Sequence, residues 1–141
     1  MIDSELRQLI ESGPFAHLTT RNADGSPQVS VIWIGLDGDD VVSAHMGRYL
    51  KIRNIERDPR VVLSFLGARD RGAVLQPYAV LHAHAAVEWS DEAWPLLDRL
   101  AKVYVSPDTT FPGDPAPGYV VRYRIDRVGG VGPWVPSPAD A

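Results

Sequence analysis

Leu6, Leu9 and Ile10 fall at helical spacing after Ser4, and Ser12-Gly13-Pro14 interrupts them, so the pattern predicts a first helix from a Ser4 cap to about Glu11. The hydrophobic period then shortens to two. Residues 15–20 read as a strand, Asn22-Ala-Asp-Gly25 as a turn, and the β-branched and aromatic run Gln28-Val-Ser-Val-Ile-Trp-Ile34 as the returning strand of a hairpin. Asp37-Gly-Asp-Asp40 is a second tight turn leading into a strand over 41–45, so the first third of the chain is expected to be a three-strand meander.

Residues 60–66 form a fourth strand bounded by Pro59 and Gly67, and 67–77 reads as a surface loop. Residues 78–89 alternate as a long strand, with Leu81, Ala83, Ala85 and Val87 on one face and His82, His84 and Glu88 on the other. Asp91 is the expected cap of a helix whose stripe is Trp94, Leu97, Leu100 and Ala101, ending near Tyr104. A Pro-, Thr- and Asp-rich connection over 106–117 precedes a last strand over 119–128, and an irregular Gly- and Pro-rich tail begins at about 129. Six strands with mostly hairpin connections and short helices predict a mainly β fold, an antiparallel barrel comprising one domain over 1–141. A doubly wound parallel sheet is not expected, because its Gly-rich phosphate turn is missing.

The helix between strands three and four carries the most chemistry. Asp58-Pro59 stops it, Gly47 offers a free turn before it, and about ten helical residues lie between. At roughly 100° per residue, Arg48 and Lys51 flank the apolar stripe of Ile52 and Ile55, while Arg53 and Arg57 face water. Two cations beside the open N–H groups of a first helical turn suit phosphate or carboxylate oxygens. The other reading is a solvated helix with both side chains snorkelling from the edge of the stripe.

Charge and composition narrow the function. The net charge of −4 and pI near 5.5 argue against a general nucleic-acid surface, so the basic helix is a local feature. The sequence has no cysteine, which excludes disulfides, thiolate catalysis and zinc–sulfur sites. No apolar run approaches a membrane span and the N-terminus lacks a signal pattern, so the expected location is cytoplasmic, with no membrane partner. Lys51 and Lys102 are the only lysines among 14 cationic residues, which singles out Lys51.

The remaining candidates each carry two readings. His82 and His84 stand at a chelating spacing but lack a third ligand, so a groove or subunit contact explains them better than a metal, and no metal site is expected. His45 ends its strand just before the basic helix, either poised over a ligand or bonded to backbone. Ser30 lies mid-strand without the turn of a hydrolytic serine, which leaves hydrogen bonding to a ring edge. Trp134 either covers a ligand ring or docks on a partner subunit.

The hairpin Asp24-Gly-Ser-Pro-Gln-Val-Ser-Val-Ile-Trp33, the Asp37-Gly-Asp turn and the run Lys51-Ile-Arg-Asn-Ile-Glu-Arg-Asp-Pro-Arg-Val61 resemble the flavin-binding split-barrel, or pyridoxamine-phosphate-oxidase-like, superfamily. Within it the chain is most similar to the branch of probable F420-dependent oxidoreductases. The resemblance implies a six-stranded split β-barrel of the FMN-binding type, and a homodimer holding its cofactor at the interface. It implies that Lys51 and Arg48 hold the cofactor phosphate and that Asn54 supports their turn. Gln28, Ser30, Val31, Ile32 and Trp33, with Ala44 and His45, would run along the ring and ribityl chain, and Trp134 is added as a further wall. The implied activity is hydride transfer between coenzyme F420, a deazaflavin, and a small conjugated or unsaturated substrate, with no catalytic acid–base residue assigned. The alternatives are an FMN-dependent oxidoreductase on the same fold and a noncatalytic flavin or tetrapyrrole carrier. Substrate selection would fall to loops 67–77 and 106–117.

Overall fold

The computed structural model describes residues 2–135. Helix α1 (Ser4–Glu11) is followed by strands β1 (Ala16–Arg21), β2 (Pro27–Ile32), β3 (Gly35–Asp37) and β4 (Asp40–His45). Helix α2 (Leu50–Arg57), strands β5 (Arg60–Leu66) and β6 (Tyr78–Ser90), helix α3 (Ala93–Tyr104) and strand β7 (Gly118–Val131) complete the chain. Asp3, not Ser4, caps α1, its carboxylate accepting from the amides of Glu5 and Leu6. At α3 the cap position belongs to Glu92 rather than Asp91, and no side chain closes it. The last strand outruns its expected end and reaches Val131, so the tail starts later than the glycines suggest.

All seven strands form one antiparallel sheet in the order β2-β1-β5-β6-β7-β4-β3. This corrects the expected three-strand meander. The β1–β2 hairpin forms as read, in the register Leu18↔Ser30, but β2 never meets β4. Instead the predicted second strand breaks at Trp33-Ile34, and its continuation β3 pairs with β4 at the opposite edge of the sheet. Only those two residues separate the edge strands, so one chain segment joins both edges of the curled sheet without closing its ladder. That is the split of a split barrel. The backbone freed at the break finds its partner on α3. The Ile34 N–H donates to the Tyr104 hydroxyl at 3.0 Å, which in turn donates to the Pro14 carbonyl at 2.7 Å.

The barrel interior is filled by alternate residues of the strands, including Leu18, Leu63, Phe65, Leu81, Val121 and Tyr123, and closed by α1 and α2 through Leu6, Ile10, Ile52 and Ile55. Burying each large aliphatic side chain contributes roughly 1.5–3 kcal/mol, which accounts for the fixed position of so short a helix as α2. A second cluster under α3 joins Ala44, Ala93, Leu97 and Val120 with Trp33, Met46 and Phe111. Strand β4 lies between the two cores and is buried along residues 41–45. Among the described residues no helix is long and apolar enough to cross a membrane.

Candidate functional site

Helix α2 is shorter than its sequence pattern suggests. It begins at Leu50 with Tyr49 as N-cap, and no side chain satisfies its first amides. Arg48 therefore precedes the helix. Its guanidinium forms a bidentate pair with Glu56, both bonds at 3.1 Å, and is half exposed. Among the described residues the expected two-cation cradle reduces to one cation without an ion pair. Lys51 sits in the first turn, half-buried, with its Nζ 5.1 Å from the centre of the Tyr49 ring. It makes no ion pair among the described residues, and burial pulls its pKa below the usual lysine value. Gly47 serves this corner through close approach rather than a free turn. A Cβ there would lie 2.9 Å from the Tyr49 ring, so a side chain would push Tyr49 away from Lys51.

Lys51 lines a cavity of about 290 Å³ whose other walls are Phe15, Val31, Ile32, Trp33, Ala44, His45, Leu97 and Phe111. Six of the residues singled out from sequence meet here: Val31, Ile32, Trp33, Ala44, His45 and Lys51. The strand break explains part of the convergence, because it turns the end of β2 toward the end of β4 and the start of α2. The sequence pattern does not single out Phe15, Leu97 or Phe111 for this cavity. Phe111 belongs to the 106–117 connection, which is anchored by the Phe111 N–H donating to Asp98 at 2.9 Å and by Lys102 donating to the Thr109 carbonyl at 3.1 Å. The ring of Trp33 stacks on Tyr104 at 5.3 Å and meets Phe111 edge-on at 6.4 Å, so the aromatic wall is rigidly backed.

His45 is 8% exposed, and its Nε2 is 2.9 Å from Ser43 Oγ. Burial first, and the nearby Lys51 ammonium second, push its pKa down to about 3, so the ring is neutral at physiological pH. One ammonium and one neutral imidazole thus share an otherwise apolar slot.

The other expected residues lie elsewhere. Asn54 is fully buried and ties α2 to the first hairpin, donating to Thr20 Oγ1 at 3.0 Å and Asn22 Oδ1 at 2.9 Å and accepting from Arg57. Gln28 accepts from Thr20 in the same network. Ser30 is on β2 outside the cavity lining, and its hydroxyl is buried with no partner among the described residues. Trp134 is not in the lining of the Lys51 cavity. It donates to the Tyr78 carbonyl at 3.1 Å and packs over Gly132, where φ is +153° and a Cβ would lie 2.4 Å from the indole.

His84 and His82 share the exposed face of β6 and bond to Asp126 and Arg127 of β7. No cluster of three or more potential metal ligands occurs among the described residues. Loop 67–77 contributes nothing to the cavity.

Four larger grooves occur among the described residues, and each carries at least one carboxylate. One, of about 690 Å³, sets Asp3, Asp39, Asp40 and Asp126 beside Arg124 and Arg127. In another, of about 680 Å³, Arg122 already pairs with Asp37 at 2.8 Å, and Glu88 and Glu92 add negative charge. The remaining two, of about 420 and 340 Å³, hold Asp58, which pairs with Arg60 at 2.8 Å, and Asp126. The Lys51 slot has a cation and no carboxylate in its lining.

Comparison with known proteins places this arrangement. No functionally curated protein matches the sequence. Among solved structures, an F420 reductase superposes with a TM-score of 0.72 at 25% identity, covering 87% of this chain and 94% of its own. A conserved hypothetical protein of Mycobacterium tuberculosis reaches 0.73 at 16% identity, with 92% and 84% coverage. An FAD-binding protein of Mesorhizobium loti reaches 0.65 at 17% identity, with 90% and 92% coverage. The last two show the fold alone. The sequence pattern of the pyridoxamine 5'-phosphate oxidase family matches residues 2–131, nearly the whole barrel, and the chain belongs to that flavin-binding, split-barrel family.

Proposed function

We propose that this protein is an oxidoreductase that binds coenzyme F420 in the Lys51 slot and serves hydride transfer to a small conjugated or unsaturated substrate. The observation that carries the reading is a half-buried ammonium that has no counter-ion among the described residues, at the edge of an apolar, aromatic-backed slot. An unpaired buried cation is costly unless an anion completes it, and a phosphate-bearing ring system supplies both the anion and the apolar body. The F420 reductase among its structural relatives supports the choice of a deazaflavin.

Lys51 and the uncapped amides of α2 would hold the phosphate. Val31, Ile32, Trp33 and Phe111 would lie against the ring and exclude water, and Ala44 leaves room beside His45. When bound, a deazaflavin supplies a two-electron hydride donor or acceptor, so the protein's own task is orientation and desolvation. A slot of about 290 Å³ is at the small end for even a drug-sized ligand. The rest of the site is therefore assigned to a second copy of the chain. Phe15 and Val31 are more than half exposed at its mouth, as are Val29 and Tyr49 nearby, and these apolar residues would be covered in a homodimer.

Fluorescence titration with F420 tests the proposal. Saturable binding, weakened about tenfold or more by Lys51→Ala, is expected. Tight FMN binding with none of F420 would replace F420 by FMN on the same barrel. Unchanged affinity of the Lys51→Ala variant for either compound would remove the site.

A further inference from the structure

Behind the slot runs a buried polar chain that cofactor binding does not itself require. Tyr123 on β7 is fully buried, and its hydroxyl lies 2.8 Å from Ser43 Oγ, which lies 2.9 Å from His45 Nε2. Antiparallel pairing of β4 with β7 aligns Val41 with Tyr123 and Ser43 with Val121, so all these side chains point to one face. Two buried hydroxyls beside an imidazole in an apolar core have a cost unless every donor is used.

The direction of the chain follows from donor accounting. Tyr123 is held in its protonated form by burial, and among the described residues its hydroxyl has one partner, Ser43. An orphaned buried O–H costs more than an orphaned lone pair, so the phenol donates to Ser43 Oγ. The serine, having accepted, directs its own proton to the next acceptor, His45 Nε2. A ring that accepts at Nε2 and is neutral carries its proton on Nδ1. Nδ1 is the nitrogen left for the cavity that His45 lines.

We propose that Tyr123 and Ser43 are positioning residues that lock His45 as the Nδ1–H tautomer, making it a neutral donor to an oxygen acceptor of the molecule held beside Lys51. Only the identity of that molecule rests on the F420 reading. The recognised chemistry is an electron-rich carbonyl or phosphate oxygen, gripped by a point charge from one side and by a directional N–H from the other. A neutral donor next to an ammonium adds orientation without stacking a second positive charge in the slot.

The test is ¹⁵N NMR of histidine-labelled protein at neutral pH, first without ligand. The expected spectrum shows His45 as one neutral form, protonated at Nδ1 and bare at Nε2. A wild-type ring protonated at Nε2, or at both nitrogens, overturns the proposal without any variant. Tyr123→Phe keeps the ring volume but frees Ser43 to accept, so a second tautomer should appear while the amide spectrum stays native. A folded Tyr123→Phe protein with an unchanged His45 signal would likewise overturn the lock. F420 and FMN are then added separately at saturation. Whichever binds should shift the His45 Nδ1–H proton; binding without such a shift refutes the donor role. If neither compound binds, the cofactor reading fails, whereas the tautomer result still decides the lock.

Discussion

Acid should destabilise this protein through His45 in a way that one substitution can isolate. The ring is 8% exposed and its pKa is pushed down to about 3, mainly by burial and secondarily by Lys51. In the unfolded chain the same group titrates near its ordinary value of 6.5. Between those two values the unfolded state binds a proton that the folded state refuses, so stability falls as the pH drops through about 6.5 and keeps falling toward 3. The loss is about 1.4 kcal/mol per pH unit, or about 2 kcal/mol at pH 5 relative to pH 7.5. Urea denaturation of wild type and His45→Gln at both pH values gives the double difference, in which His17, His82 and His84 and the carboxylates cancel. Wild type should lose about 2 kcal/mol more than the variant, which in thermal unfolding corresponds to roughly 4–8 °C in Tm for a domain of this size. Equal losses in the two proteins would show that His45 is not held neutral by its surroundings.

Three other substitutions separate scaffold from site. Trp134→Ala should lower stability by about 3–5 kcal/mol in urea, since a buried indole and its bond to Tyr78 are lost, and leave the F420 affinity of the folded fraction unchanged. Asn54→Ala should cost about 2–3 kcal/mol by the same assay, because Thr20 and Asn22 lose their common donor. Arg48→Ala should weaken F420 less than threefold by fluorescence titration, since Glu56 already neutralises this arginine. A loss as large as that for Lys51→Ala would restore the two-cation cradle.

Much of the barrel could be read from hydrophobic period and punctuation. Pro59 and Gly67 bound β5 where expected, and the alternation of Leu81, Ala83 and Ala85 identifies the inner face of β6. The failure at β2 has a physical origin. Nothing local marks Trp33-Ile34 as a break, because the run stays apolar and β-branched. The break is stabilised from Tyr104, 70 residues away, by replacing the missing ladder bond. The rule that neighbouring strands pair therefore gave a meander where the chain crosses to the other edge.

The candidate site shows the same division. Lys51, His45 and the Val31–Trp33 segment come together because short-range pattern places them at element ends. Arg48 fits the helical spacing but precedes a helix that starts two residues later, and its partner Glu56 is eight residues on, beyond the usual helical pair spacing. Trp134 carried no local sign of its real neighbour, the Tyr78 carbonyl. The Tyr123–Ser43–His45 chain was invisible in the sequence, since Ser43 and Tyr123 are 80 residues apart and meet only through the β4–β7 pairing.

A crystal structure of the protein grown with F420 would locate the bound molecule outright. Its phosphate should lie within hydrogen-bonding distance of Lys51 Nζ and its ring against Val31, Trp33 and Phe111. Density in any of the larger grooves, with the Lys51 slot left to solvent, would contradict the assignment.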